Sequence, residues 1–177
     1  MYRFRASGAK KPKARAQLLG SGAILNEVLA AQAMLEERYG VAADVWSVTS
    51  YAELSRQGHA AARWNMLHPT EPARVPYVTE CLKDAPGPIV AASDYLKVLP
   101  DAISRWAPRP IVSLGTDGFG RSEDRRALRD FFEVDARFVT LATLAALARD
   151  GAIEAPIVAK AMKDLEIDPE KADPSAH

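Results

Sequence analysis

Apolar positions along the chain alternate between short continuous runs and stretches of helical period, and this alternation outlines the architecture. Gln17-Leu18-Leu19-Gly20, Val45-Trp46-Ser47-Val48-Thr49, Pro88-Ile89-Val90-Ala91-Ala92 and Pro110-Ile111-Val112-Ser113-Leu114 are apolar or β-branched runs suited to buried strands. Tyr2-Arg3-Phe4-Arg5, apolar and cationic in turn, reads as an N-terminal strand. Ile24, Leu25, Val28, Leu29 and Leu35 recur at helical spacing, with Ser21 placed to cap that helix and Gly40 to end it in the left-handed region.

Residues 51–76 are less regular. They read as a short helical piece over Ala52–Gln57, then Arg63-Trp64-Asn65-Met66-Leu67-His68-Pro69, then a proline-spaced stretch to Pro76. A helix over Tyr77–Asp84 is closed by Pro86-Gly87-Pro88, and one from Asp94 to Trp106 is kinked or restarted at Pro100. Ser122, Glu123 and Asp124 open a helix with Leu128, Phe131 and Phe132 on its buried face. Asp135 caps an apolar helix reaching Gly151, and Pro156 lies in the first turn of a last helix ending near Leu165.

Strands alternating with helices in this way predict an α/β fold of three layers: a mostly parallel (mixed) sheet of about five strands with helices on both faces. Residues 1–14 are expected to form the N-terminal strand and a basic linker, 15–168 a single α/β domain, and 169–177 a disordered tail.

The length of 177 residues suits one domain. Lys+Arg and Asp+Glu are equal at 23 each, so overall charge gives no reason to expect nucleic acid or an anionic membrane as partner. The charge is nonetheless unevenly placed. Residues 1–15 carry Arg3, Arg5, Lys10, Lys11, Lys13 and Arg15 with no acid, which reads as a solvated strand and linker. Cys81 is the single cysteine, so no intrachain disulfide forms, and a reducing, cytoplasmic setting is expected. No apolar run approaches the ~20 residues of a membrane span.

Candidate chemistry within the chain is sparse. Gly20-Ser21-Gly22 joins a strand to a helix, where α/β proteins bind phosphates, but position 25 is Leu where the dinucleotide fingerprint needs Gly. Asp44, about 20 residues on, is expected to start a strand and not to end one, so a tight turn is the default reading. Gly115-Thr116-Asp117-Gly118-Phe119-Gly120-Arg121-Ser122 is the most distinctive segment. It offers Phe119 at a loop tip and allows an Asp117–Arg121 pair; from the residues alone it is either an interface loop or a structural turn. His59, His68 and His177 lack partners at metal-ligand spacing, and no G-x-S-x-G elbow is present.

Five strings resemble, in order, the homodimeric bacterial pyruvate dehydrogenase decarboxylating family. They are Gln17-Leu18-Leu19-Gly20-Ser21-Gly22, Asp44 to Ser50, Arg63 to Pro69, Arg74-Val75-Pro76-Tyr77, and Leu114 to Ser122 followed by Phe132-Glu133-Val134-Asp135. The wider pattern is similar to the C-terminal domain of transketolase. The resemblance implies a non-catalytic domain that completes a fold, contributes dimer contacts and borders an active-site entrance. It also implies that thiamine diphosphate and Mg²⁺ are held by other domains of the full-length enzyme, and that no catalytic, cofactor-binding or metal-binding residue lies in this chain. Asp117, Phe119, Arg121 and His68, within the two most specific strings, are the candidates for interface or entrance. Implied partners are the remaining domains, a second copy of the parent enzyme, and the dihydrolipoyl acetyltransferase whose lipoyl group that enzyme reductively acetylates. The alternative is a stand-alone α/β module for small-ligand binding or signalling.

Overall fold

A computed structural model describes residues 1–176, and His177 lies outside the described residues. Its centre is a five-stranded sheet in the order β1-β3-β2-β4-β5, formed by β1 (Tyr2–Arg5), β2 (Ala14–Gly20), β3 (Val41–Ser47), β4 (Ile89–Ala92) and β5 (Ile111–Leu114). β2, β3, β4 and β5 run parallel, and β1 joins the edge antiparallel to β3. The predicted α/β class and mixed sheet are therefore observed.

Alternate residues of each strand enter opposite cores, as the pleat requires. Ala16, Leu18, Val41, Ala43, Val45, Val90 and Ala92 face α1 (Leu25–Met34), α6 (Ala136–Arg149) and α7 (Ala155–Asp164). Leu19, Trp46, Ile89 and Ala91 face α2 (Tyr51–Leu67), α3 (Tyr77–Leu82) and the irregular segment carrying Ile103 and Trp106. Each fully buried large aliphatic side chain contributes roughly 1.5–3 kcal/mol, so the two cores dominate the fold's stability. Gln17 is buried on the second face, where its side chain accepts from Trp46 Nε1–H at 2.8 Å and donates to the Pro86 carbonyl at 2.9 Å.

Several local expectations hold. Gly40 caps the first helix with φ 67°, after a final π-helical turn over Leu35–Tyr39. Asp135 caps α6 by accepting from the Arg137 and Phe138 backbone N–H groups, and Pro156 sits in the first turn of α7.

Others are corrected. Asp44 does not start a strand: β3 begins at Val41, and the Asp44 carboxylate accepts from Ser7 N–H at 2.8 Å and pairs with Arg3 at 3.6 Å. That acid therefore holds the basic N-terminal arm against the sheet. Residues 51–67 form one helix of 17 residues, not a short piece. Ser21 has the extended backbone of a cap, but its hydroxyl makes no capping bond, and Asp124 caps α5 (Arg125–Phe131) in place of Ser122. The stretch Asp94–Trp106 contains only α4 (Val98–Asp101) and a 3-10 turn, Ser104–Trp106.

In the segment after Asp168 two residues, Lys171 and Pro174, meet the body. Lys171 Nζ donates to the Asp130 and Phe131 carbonyls left open at the end of α5 and pairs with Glu133 at 3.5 Å. Pro174 is buried. Among the described residues no helix is long and apolar enough to cross a membrane.

Candidate functional site

Parallel strands bring their carboxyl ends to one edge, and the most distinctive sequence segment lies there. β4 leads into Ser93–Lys97 and β5 into Gly115–Ser122, and the two loops are bonded to each other. Ser93 N–H donates to the Leu114 carbonyl at 3.1 Å, and Thr116 N–H to the Tyr95 carbonyl at 2.9 Å. The Thr116 hydroxyl donates to the Asp94 carbonyl at 3.0 Å. Gly115 allows this approach, because a Cβ there would lie 2.5 Å from the Tyr95 carbonyl oxygen.

Asp117 completes this join. Its carboxylate accepts from Lys97 N–H at 2.9 Å and pairs with Lys97 Nζ at 3.7 Å. The expected Asp117–Arg121 pair does not form; the Arg121 guanidinium instead lies over the Phe131 ring, 5.0 Å from its centroid. Gly118, at φ 94°, turns the chain beside Pro174, where a Cβ would stand 2.7 Å from the Pro174 carbonyl oxygen. Phe119 follows with 80% of its surface exposed.

Phe119 is one of four exposed apolar residues on these two loops and the first position of α4. Tyr95 is 57% exposed, Leu96 50% and Val98 61%. Large apolar groups held at the surface by fixed loops mark a contact surface. Tyr95, Leu96 and Val98 were absent from the candidates because the stretch read as part of a helix kinked or restarted at Pro100.

His68 lies elsewhere. α2 starts beyond the carboxyl end of β3 and is 17 residues, about 25 Å, long, and His68 follows its last turn. There the His68 ring stacks on Trp64 with centroids 4.4 Å apart, and Arg74 lies over the same indole at 4.2 Å. Asn65 fixes the arrangement, donating to the Arg74 carbonyl at 3.0 Å and accepting from its N–H at 2.8 Å. The structure thus brings Asp117, Phe119 and Arg121 together and separates His68 from them.

A cleft of about 500 Å³ opens on the other side of the Gly115–Ser122 loop, between the first turn of the α1 segment and α5. No histidine among the described residues lines it. Among the described residues no three His, Cys, Asp or Glu side chains stand together to hold a metal ion. At the Gly20-Ser21-Gly22 turn the Asp94 carboxylate is the nearest side chain to Gly22, placing negative charge where a diphosphate would need its absence. The residues of this edge do not fit a Mg²⁺–diphosphate group.

A mixed α/β sheet with its distinctive loops at the carboxyl edge is the frame of a transketolase C-terminal domain. The family model described as transketolase-like TK C-terminal domain matches residues 1–135, and the chain belongs to that family. It is similar to the pyruvate dehydrogenase E1 component of Cupriavidus necator, with 48% identity over 98% of this chain and 19% of that protein. The same component from Pseudomonas aeruginosa is 51% identical over 89% of this chain and 18% of the relative. The component from Mycobacterium tuberculosis is 42% identical over 98% and 19%. The chain thus spans about a fifth of the length of the curated relatives it matches. A solved split gene transketolase, described as an inactive beta4 tetramer, superposes with a TM-score of 0.52 at 20% identity. That match covers 84% of this chain and 44% of that one and concerns the fold alone.

Proposed function

We propose that this chain acts as the C-terminal docking domain of a thiamine-diphosphate-dependent pyruvate dehydrogenase. It completes the fold, contributes to a homodimer interface and borders an active site built by other domains. The observation that carries this reading is the exposed Tyr95, Leu96 and Phe119 on two mutually bonded loops, with Val98 at the start of α4 beside them. Such a surface suits burial against a partner, and a chain spanning a fifth of its relatives leaves ample partner surface. The whole enzyme would decarboxylate pyruvate in the cytoplasm and reductively acetylate the lipoyl groups of its dihydrolipoyl acetyltransferase. Thiamine diphosphate and Mg²⁺ would supply the carbanion chemistry from the other domains.

The test is a hybrid enzyme in which this chain replaces the matching fifth of the Cupriavidus necator relative. The hybrid should be dimeric and decarboxylate pyruvate. Phe119→Asp should reduce dimerisation or activity about tenfold or more, because it desolvates a charge at an apolar contact. In the isolated chain the same change should leave the melting temperature nearly unaltered, since Phe119 is exposed there. An active hybrid indifferent to Phe119→Asp would refute the docking role of this edge.

A further inference from the structure

The cleft beside the Gly115–Ser122 loop has a composition that the docking role does not require. Its floor is apolar, formed by Ile24, Leu128, Phe132 and Val134, and its rim carries Arg121, Arg125 and Arg129. Arg129 is neutralised by Glu27 at 2.7 Å. Arg121 and Arg125 have no carboxylate within ion-pair distance among the described residues. Asp94 is the one acid lining the cleft, so the lining carries an excess of positive charge.

Ala23 and Ile24, in the 3-10 turn that opens the α1 segment, also line the cleft. The Asp94 carboxylate is the nearest side chain to Gly22 at the start of this turn, so the positive charge of the cleft comes from its arginines and not from the helix end. The volume of about 500 Å³ lies within the range of small-molecule sites.

We propose that this cleft binds a small amphipathic anion: a phosphate monoester or carboxylate with an apolar body about the size of an aromatic ring. The anionic group is held by Arg121 and Arg125, and the apolar body lies on Ile24, Leu128 and Phe132. Asp94 and the Thr116 hydroxyl select against a second negative group and accept or donate hydrogen bonds at the far side of the ligand. The site rests on this chain's own residues and stands independently of the docking reading.

Calorimetric titration of the chain with phenyl phosphate tests the proposal, with inorganic phosphate and benzyl alcohol as probes of charge and apolar surface separately. Phenyl phosphate should bind saturably at one per chain, and each separate probe should bind about tenfold more weakly or worse. Arg121→Gln and Arg125→Gln should each weaken phenyl phosphate about tenfold, as loss of a charge-assisted hydrogen bond does. Arg126→Gln should change affinity by no more than about twofold, because Arg126 is on the same helix but outside the cleft lining. All three arginines are at or near the surface, so a melting curve for each variant confirms that affinity and not folding has changed. No saturable binding at millimolar phenyl phosphate would overturn the site. So would binding that the Arg121 and Arg125 variants leave intact, or that Arg126→Gln weakens equally.

Discussion

Gln17 shows how one polar side chain can be required inside an apolar strand. It lies within Ala16 to Leu19, yet its amide both accepts from the Trp46 indole and donates to the turn at Pro86. Gln17→Leu leaves the buried indole N–H without its acceptor and the Pro86 carbonyl without its donor, at about 1–3 kcal/mol each, and the two together outweigh the roughly 1.5–3 kcal/mol that a buried leucine contributes. Trp46→Phe removes the donor, so the double substitution should be less destabilising than the sum of the two single ones. Urea denaturation of the three variants measures this, and strictly additive losses would show that the bond contributes nothing. Tyr51 makes the opposite case. Its hydroxyl is buried without a partner, and burial raises its pKa well above the ordinary value of 10.0. The folded state therefore keeps the proton longer than the unfolded chain. This contribution to stability is complete below pH ~10 and is lost as pH rises toward the folded value. Tyr51→Phe should leave stability at neutral pH unchanged or slightly higher and flatten its alkaline decline; an unchanged alkaline limb would contradict the assignment. Neither the Gln17 bond nor the Asp117–Lys97 pair was legible in the sequence, because their partners lie 20 or more positions away. The local Asp117–Arg121 pairing was the available guess, and the sheet supplied a better partner.

At the scale of elements, local signals held wherever neighbours agreed with them. The four parallel strands, the Gly40 cap, the Asp135 cap and the start of α7 all appear near their expected places. The clearest miss is α2, whose expected helical piece covered only Ala52–Gln57 and stopped before Gly58. Gly58 is instead the point where Trp106 crosses the helix: a Cβ there would stand 2.6 Å from the indole ring. Trp106 has little room to retreat, since its carbonyl accepts from the Thr79 hydroxyl at 2.6 Å and His59 packs edge-on at 4.8 Å. For Gly58→Ala, helix propensity favours alanine by about 1 kcal/mol, whereas overpacking against a held ring costs about 1–3 kcal/mol. The substitution should therefore lower stability in denaturant titration, and a more stable variant would show that Trp106 yields. The segment Asp94–Trp106 failed as a helix for a different reason. Pro100 shortens any helix there, and bonds from Tyr95 and Lys97 to the β5 loop hold the preceding turn open.

For the whole molecule, topology turns scattered motifs into surfaces. β4 and β5 are neighbours, so residues 94–98 and 115–121 meet at one edge, while the Trp64–His68 stack is at the other end of α2. Sequence strings alone gave Asp117, Phe119, Arg121 and His68 equal standing; the strand order separates them. It also divides the first three: Asp117 joins two loops, Phe119 faces outward among apolar neighbours, and Arg121 borders the cleft. The account's central claim is that the edge bearing Tyr95, Leu96, Val98 and Phe119 is covered by the rest of a longer enzyme. Hydrogen–deuterium exchange, compared between the isolated chain and the hybrid with the Cupriavidus necator relative, tests it most directly. Segments 94–99 and 117–121 should exchange about tenfold more slowly in the hybrid, with the central strands little changed. Equal exchange of those segments in both would contradict the claim and leave this edge facing solvent.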